Sequence, residues 1–353
     1  MTALKFILPF LCLLMCSCAE KHTVKSDTAQ AKRNVQKDSL VRMSGVSLEM
    51  PANEIAENKF GEVADFGAKW VALIPYGYTQ QGESKVHFNW EGRWWGESLN
   101  GTARCITYAH DQGLKTLLKP HVWVVGQGWP GRFEPESESK WLEWEKSYRD
   151  YILACAYLAD SLDVDAFCIG TEYRKAVVDR PQFWSDLIDD VREVYQGPLT
   201  YAANWDNYEN VSFWDKLDFI GIDAYFPLSK KKEPTTQELE KGWEEIAQKL
   251  DDFAQKWNKK IAFTEYGFKS VDYLHDQSSK EGQDVKPNMQ NQKNAYTAFF
   301  NSVWRKDWMM GGFFWKWHFY ENAGGKNNTR YTPQNKPAAA IVQRNYKSTK
   351  SPK

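Results

Sequence analysis

Two glutamates, Glu172 and Glu265, each stand at the end of a short apolar segment of the chain. A buried carboxylate is costly unless a cation pairs with it or it has a chemical task. For one such glutamate alone, an ion pair is the simpler explanation, and Arg174 and Lys119 are available as partners. Two glutamates in equivalent positions favour catalysis, because paired carboxyl groups can act as a proton donor and a nucleophile.

These segments belong to a pattern of short apolar runs that alternate with longer stretches of helical periodicity. The predicted strands are 45–48, 70–76, 115–123, 166–172, 199–205, 219–225, 261–268 and 312–318. The predicted helices include 141–162, 183–195, 239–257, 295–304 and one that starts at Pro337. Near-continuous apolar runs are typical of parallel strands covered on both faces. The pattern therefore predicts an α/β fold, a single-domain (β/α)8 TIM barrel over residues 45–346.

Connections that leave the predicted strands are longer than those that enter them. The connection that enters the second strand consists only of residues 68–69. The segments 77–100 and 126–139, which leave the second and third strands, are long and together contain several tryptophans. Barrel enzymes build their active sites from the loops at the carboxyl ends of the strands. Glu172 and Glu265 end the fourth and seventh strands, so the pattern predicts that both lie at this end of the barrel.

Six sequence segments, two of which contain Glu172 and Glu265, share order and spacing with one family of barrel enzymes. They are LKPHVW (118–123), IGTE (169–172), IGIDAYFP (220–227), TEYG (264–267), FWKW (314–317) and YTPQNKPA (331–338). Together they resemble the glycoside hydrolase family 113 β-mannanases, which belong to the large clan of retaining β-glycosidases with (β/α)8 barrels. The resemblance implies that Glu172 is the acid/base and Glu265 the nucleophile.

The implied reaction is hydrolysis of a β-linked polysaccharide by double displacement, with β-1,4-mannan or manno-oligosaccharides as the expected substrate. Retention requires two carboxyl groups about 5–5.5 Å apart, one of which must stay protonated near neutral pH. Two alternatives stay open. The chain could be another β-glycanase of the same clan, acting on glucan or xylan, or a barrel that binds glycan without cleaving it. The presence of both glutamates argues against the second.

Other side chains at the predicted strand ends are candidates for binding the substrate. By the resemblance, Tyr225 would donate a hydrogen bond to Glu265 and orient it, although it could instead be a rim aromatic. Trp315 would form the platform under the sugar at the cleavage point. Asp223 should share a face with Tyr225, because side chains alternate along a strand, or it could anchor the following loop. Four more residues could line the cleft or be structural, namely His121, Trp123, Asn204 and Trp205.

Composition bears on the partners that the chain can have. The formal net charge is −1, which gives no reason to expect nucleic acid as a partner. Of six histidines, only His121 and His318 lie near predicted strand ends, so we expect neither a metal site nor a metal-dependent hydrolase. No cofactor is expected. Aromatic residues make up 15% of the chain, with 17 tryptophans, and their broad apolar faces suit sugar rings.

The amino terminus resembles an export signal. Lys5 precedes an apolar run at 6–15, too short to span a bilayer, and Ser17 stands directly before Cys18 as in a bacterial lipobox. We expect residues 1–17 to be removed and Cys18 to carry a lipid, although an ordinary secretory signal is the alternative. Residues 18–44 are polar and predict a flexible tether, and 347–353 predict a disordered tail. The expected location is the bacterial outer membrane, on its periplasmic or cell-surface side.

Overall fold

The computed structural model describes residues 42–274 and 286–348. The predicted signal peptide, Cys18, the tether before residue 42 and the last five residues of the predicted tail lie outside the described residues. Within the described ranges, no helix has both the length and the apolar character needed to cross a bilayer.

Ten strands are present in the described residues, and eight of them close a parallel barrel. In chain order the strands are β1 Met43–Leu48, β2 Trp70–Leu73, β3 Tyr76–Gln80, β4 Lys115–Leu118, β5 His121–Val125, β6 Ala166–Thr171, β7 Leu199–Asn204, β8 Ile220–Asp223, β9 Ile261–Tyr266 and β10 Met309–Trp317. Around the barrel the order is β1, β10, β9, β8, β7, β6, β4 and β2, with β2 paired to β1. The predicted (β/α)8 architecture is confirmed.

The second and third predicted strands differ from the prediction, because each is divided in two. The breaks follow Leu73 and Leu118, and each contains a proline, Pro75 or Pro120. Proline has no backbone N–H to donate to a sheet, which ends regular pairing at that point. Beyond the breaks, β3 and β5 pair with each other in a separate two-stranded parallel sheet. We call this pair the β3–β5 ribbon.

Eight helices of the described residues surround the barrel. They are α1 Asn58–Phe66, α2 Leu99–Asp111, α3 Glu138–Ser161, α4 Ala176–Asp179, α5 Pro181–Val194, α6 Thr236–Trp257, α7 Met289–Ser302 and α8 Pro337–Lys347. Local sequence sets several starts. Thr235 and Glu238 form a reciprocal capping box at the start of α6. Proline occupies the start of α5 and α8, where its missing N–H costs nothing.

Two apolar layers hold the barrel together. One lies between the strands and the helices, and the other fills the barrel interior. Side chains alternate between the layers, so that Trp70 points into the barrel while its neighbour Val71 packs toward the helices. Trp70 and Phe313 pack against each other in the interior, which is therefore a packed core, as in barrel enzymes whose active sites lie at the carboxyl ends of the strands.

Candidate active site

Glu172 directly follows β6, at the carboxyl end of the barrel. Its backbone adopts the left-handed conformation, with φ of 55°, and its N–H donates to Ala202 O at 2.8 Å. Two neutral donors hold its carboxyl group. Trp129 Nε1 donates to Oε2 at 2.6 Å, and Asn204 Nδ2 donates to Oε1 at 3.1 Å. Since Trp129 comes from the loop after β5 and Asn204 ends β7, the two donors hold the carboxyl group from different parts of the barrel rim.

The surroundings of Glu172 favour its protonated form. Burial raises the pKa of Glu172 well above its usual value, and the negative charges of Asp223 and Glu265 raise it further. The positive charge of Lys119 and the hydrogen bond from Trp129 oppose this rise without cancelling it. A carboxyl group that keeps its proton near neutral pH can serve as a general acid.

Glu265 lies on β9 in a different environment. Glu265 is 6% exposed, and the Tyr225 hydroxyl donates to its Oε2 at 2.7 Å. The Lys119 ammonium donates to Oε1 at 2.5 Å, and His121 Nε2 lies 3.5 Å from the same oxygen. An ammonium and a hydroxyl both stabilise an ionised carboxylate. Both donors hold the Glu265 carboxyl group in place, as a nucleophile requires.

Lys119 bridges Glu265 to a second buried carboxylate. Its Nζ lies 3.0 Å and 3.2 Å from the two oxygens of Asp223, which also accepts from Thr264 Oγ1 at 2.7 Å. Burial alone would lower the pKa of Lys119, but the charges of Asp223 and Glu265 outweigh it and raise that pKa. Burial and the Glu265 charge raise the pKa of Asp223 to about 7, against the effect of Lys119.

An ion pair was the simpler sequence-based explanation for one buried glutamate, and that pair exists between Lys119 and Glu265. Arg174, the other cation considered, pairs with Asp206 instead, at 2.8 Å. The ion pair accounts for the burial of Glu265. It does not account for Glu172, whose hydrogen-bond donors are uncharged.

His121 and Trp315 form one wall of the site. Their rings are parallel, with an interplanar angle of 2° and centroids 6.1 Å apart. Burial lowers the pKa of His121 well below its usual value, and Lys119 and Lys316 lower it further, so the imidazole is neutral. The ammonium of Lys316 lies 5.2 Å from the centroid of the Trp315 ring and pairs with Glu49 at 2.8 Å. The Trp315–Lys316 peptide bond is cis.

The structure brings most of the predicted site residues together. Asn204 contacts Glu172, while Tyr225 and His121 contact Glu265. Two predicted residues lie further out. Trp123 is 48% exposed on the β3–β5 ribbon, and Trp205 is half-buried against Phe226, with ring centroids 5.9 Å apart.

Two residues that touch this cluster were not predicted to belong to it, Trp129 and Tyr331, and Lys119 was named only as a possible ion-pair partner. Lys119 is charged within an apolar segment, and Trp129 lies in a long outgoing loop rich in aromatics, so each carried a weak signal. Tyr331 packs on Tyr225, with ring centroids 5.6 Å apart. Burial raises the pKa of Tyr331 to about 12, with contributions from Glu265 and Glu172.

Within residues 42–274 and 286–348, no group of three or more His, Cys, Asp or Glu side chains is arranged to hold a metal ion.

Comparison with known proteins places the chain in a family. The sequence model of Glycoside Hydrolase Family 113 matches residues 50–336. The chain belongs to glycoside hydrolase family 113. This confirms the predicted family and, with it, a glycoside hydrolase. None of the curated proteins matches the chain in a sequence search.

Solved structures with the same fold include two members of this family. One is a family 113 β-mannanase from Alicyclobacillus acidocaldarius in complex with ManMIm, with 24% identity over 87% of this chain and 98% of that chain and a TM-score of 0.77. Another is a family 113 β-1,4-mannanase, with 23% identity over 87% and 99% and a TM-score of 0.74. A β-glucuronidase from Ruminococcus gnavus has 16% identity over 87% and 50%, with a TM-score of 0.59.

Replacing Lys119 with methionine tests its role as the positioning residue for Glu265. Removing one partner of a buried ion pair leaves the remaining charge uncompensated, at a cost of about 3–5 kcal/mol. That cost falls on the free energy of unfolding. We expect kcat to fall by about 100-fold, because a nucleophile displaced by roughly 1 Å loses about that factor in rate. The alkaline limb of the pH profile should move to higher pH, because the charge of Lys119 lowers the pKa of Glu172 and the variant loses that charge.

The control for Lys119→Met is Arg174→Met, which removes a cation at 45% side-chain exposure that pairs with Asp206. Its activity and pH profile should stay close to those of the parent protein, since exposed ion pairs contribute little. Circular dichroism establishes that both variants are folded. An unchanged alkaline limb in folded Lys119→Met would show that Lys119 has only a structural role.

Proposed function

We propose that this chain is a retaining β-mannanase in which Glu172 is the acid/base and Glu265 the nucleophile. The observation that carries the assignment is the contrast between the two carboxyl groups. Glu172 contacts neutral N–H donors, and burial and nearby negative charge raise its pKa. Glu265 contacts the Lys119 ammonium and the Tyr225 hydroxyl. Such opposed environments separate an acid from a nucleophile.

The first step of the proposed reaction uses both glutamates at once. The Glu172 proton passes to the glycosidic oxygen as the bond to the anomeric carbon breaks, and Glu265 attacks that carbon. Glu265 becomes the ester of a glycosyl-enzyme, and Glu172 becomes an anion. The N–H groups of Trp129 and Asn204 are in place to stabilise that anion. In the second step, Glu172 takes a proton from water as the water displaces Glu265.

The side chains around Glu265 support this sequence. Lys119 keeps its contact with Asp223 when the charge of Glu265 disappears into the ester, so the ammonium never loses all of its partners. The rings of His121 and Trp315 lie parallel, and His121 Nε2 lies 3.5 Å from Glu265, so the face of Trp315 is the candidate surface for a sugar ring. A sugar ring stacked there would have its anomeric carbon close to the nucleophile, and stacking on aromatic faces suits the C–H surface of sugars.

β-1,4-Mannan and manno-oligosaccharides are the proposed substrates. Support comes from membership of family 113 and from the solved relatives, which are described as β-mannanases. A barrel that binds glycan without cleaving it would have no need of two carboxyl groups in opposed environments. Glucan and xylan are the competing substrates within the same clan, and the experiment that follows separates them.

Product analysis over four polysaccharides tests the proposed substrate. The chain from residue 42 onward should be incubated with mannan, glucomannan, cellulose-type glucan and xylan, with Glu265→Ala from the same preparation as the control for contaminating activity. We expect mannan or glucomannan to be cleaved at least about ten-fold faster than the other two, since pockets discriminate similar ligands by about 1–3 kcal/mol. Faster cleavage of cellulose-type glucan or xylan would contradict the mannan assignment and leave the two-glutamate mechanism in place.

We also propose that the protein is exported and held at the outer membrane by a lipid on Cys18. The apolar run and the Ser17–Cys18 pair support this proposal. Replacing Cys18 with serine should move the protein from the detergent phase to the aqueous phase, because a lipid anchor requires the thiol. Hydrolysis by the variant should be unaffected. A wild-type protein without lipid, found in the aqueous phase, would contradict the anchor.

A further inference from the structure

The β3–β5 ribbon has two different faces. Its residues alternate between buried and accessible, and the register pairs Tyr76 with His121, Tyr78 with Trp123 and Gln80 with Val125. These three pairs share the accessible face, because side chains alternate along a strand. The opposite face packs toward α3, where Tyr151 donates its hydroxyl to Pro75 O at 2.9 Å. The ribbon is therefore fixed to the barrel on one side and accessible on the other.

The accessible face begins inside the active site. His121 lies 3.5 Å from Glu265 and stacks parallel to Trp315, and the Tyr76 ring packs on His121 at 5.3 Å. From this pair the face runs outward for about 13 Å, since Gln80 lies four positions after Tyr76 and a strand rises by roughly 3.3 Å per residue. Exposure increases along it, up to Trp123 at 48% and Val125 at 46%.

A further tryptophan stands beside the outer part of this face. The Trp90 ring packs edge-on against Tyr78 at 5.2 Å, and the guanidinium of Arg93 lies 4.5 Å from its centroid. Arg93 is itself held by Glu97 at 2.7 Å, and the side chains of that ion pair are only 3% and 7% exposed. Trp90 is still 44% exposed. Its ring is thus held in position and keeps free surface for a ligand.

A surface cavity of about 430 Å³ lies between these elements. Its lining includes Tyr78, Gln80, His87, Trp90 and Val125. That volume falls within the range of small-molecule sites, roughly 300–1,000 Å³. The nearby charges are already neutralised, since Arg93 pairs with Glu97. The surface is flat and aromatic, with polar groups at its edge, and Arg93 and Glu97 contribute no free charge to it. Such a surface suits a neutral sugar.

We propose that the outer part of the β3–β5 ribbon, together with Trp90, binds sugar units of the substrate chain at a distance from the bond that is cleaved. We call this surface, formed by Tyr78, Gln80, Trp90, Trp123 and Val125, the outer platform. The occupant is a neutral β-linked glycan, because the platform is continuous with the wall that His121 forms beside Glu265. The identity of that glycan as mannan rests on the proposed function. The outer platform makes long chains better substrates than short ones.

Trp90→Ala and Val125→Asp test the outer platform by two independent changes on exposed side chains. Tyr157→Ala is the matched control, since Tyr157 is 64% exposed on α3. For each variant, kcat/KM is measured on β-1,4-mannohexaose and on an aryl β-mannobioside. An aromatic contact of about 0.5–1.5 kcal/mol corresponds to as much as about ten-fold in affinity. In both variants, we expect kcat/KM for the hexaose to fall about ten-fold more than kcat/KM for the bioside. In Tyr157→Ala, kcat/KM should change little for either substrate.

A binding measurement removes any dependence on turnover. In a Glu265→Ala background, migration through native gels containing mannan, glucomannan, cellulose-type glucan or xylan reports retention by each polysaccharide. Adding Trp90→Ala or Val125→Asp should reduce that retention about ten-fold in apparent affinity, the first by loss of stacking and the second by placing a charge within the apolar surface.

The outcomes separate the outer platform from the proposed function. Retention by glucan or xylan in place of mannan would contradict the mannan assignment, and loss of that retention in the variants would still support the outer platform. Three results would overturn the outer platform: equal losses on the hexaose and the bioside, variants retained like their parent, or no retention by any of the four polysaccharides.

Discussion

Glu265→Ala should abolish hydrolysis of every natural substrate, with a loss of at least about 10⁴-fold in kcat, as for removal of other covalent nucleophiles. The reason is chemical, because no other group in the cluster is placed to form the glycosyl-enzyme in its stead. Glu265→Gln should lose as much, since an amide cannot attack. Steady-state hydrolysis of mannan and mass spectrometry of the protein with a slow aryl substrate measure both effects.

Azide gives the Glu265 prediction a stereochemical readout. With an aryl β-mannoside that has an acidic leaving group, azide should enter the space left by the side chain of Glu265→Ala. One displacement inverts the anomeric carbon, so the product should be the α-mannosyl azide. Glu145→Gln is the matched control, because Glu145 is a partly buried glutamate that pairs with Arg180 away from the site, and it should retain activity. Substantial mannan hydrolysis by purified Glu265→Ala would contradict the nucleophile assignment.

Glu172→Ala should behave differently from Glu265→Ala. Loss of a general acid costs about 10²–10⁴-fold, and the loss should be largest on mannan, whose leaving group needs a proton. Aryl substrates with acidic leaving groups should form the glycosyl-enzyme at close to the normal rate. The intermediate should then accumulate, because no base activates water. Azide, which needs no base, should restore turnover and give the β-mannosyl azide, the product of two displacements.

The pH profile provides a second test of Glu172. Because burial and neighbouring negative charge raise its pKa, its protonated form is present below that raised pKa and is lost as the pH rises through it. The alkaline limb of the wild-type profile should therefore disappear in Glu172→Ala assayed on an activated substrate. Trp129→Phe is a matched variant that keeps an aromatic ring and removes the N–H. Since that hydrogen bond lowers the pKa of Glu172, its loss should move the alkaline limb to higher pH. If the alkaline limb persists unchanged in Glu172→Ala, it arises from the titration of another group.

The sequence predicted the architecture well because the barrel is set by a periodic pattern. Apolar runs that are buried on both faces are readable along the chain, and the positions of Glu172 and Glu265 at strand ends follow from them. Tyr225 was predicted to contact Glu265, and it does so at 2.7 Å. The breaks at Pro75 and Pro120 were not predicted, although proline is a readable signal, because the apolar runs continue across them.

The electrostatic contacts were harder to predict, because they join residues that are far apart in the chain. Lys119 meets Asp223 and Glu265 only when β4, β8 and β9 converge at the barrel rim, across separations of 104 and 146 residues. The residues next to Lys119 in the chain do not show whether its side chain is exposed to solvent or buried. Trp129 lies in a long loop whose course the sequence pattern does not determine, so its contact with Glu172 could not be derived.

The configuration of the first product tests the central assignment most directly. Mannan or a manno-oligosaccharide is digested in deuterated buffer, and proton NMR records the anomeric signals of the new reducing end before mutarotation equilibrates them. If Glu265 attacks and Glu172 transfers the proton, two displacements occur at the anomeric carbon and the β-anomer must appear first. Appearance of the α-anomer first would mean a single displacement by water, and the role of Glu265 as nucleophile would have to be withdrawn.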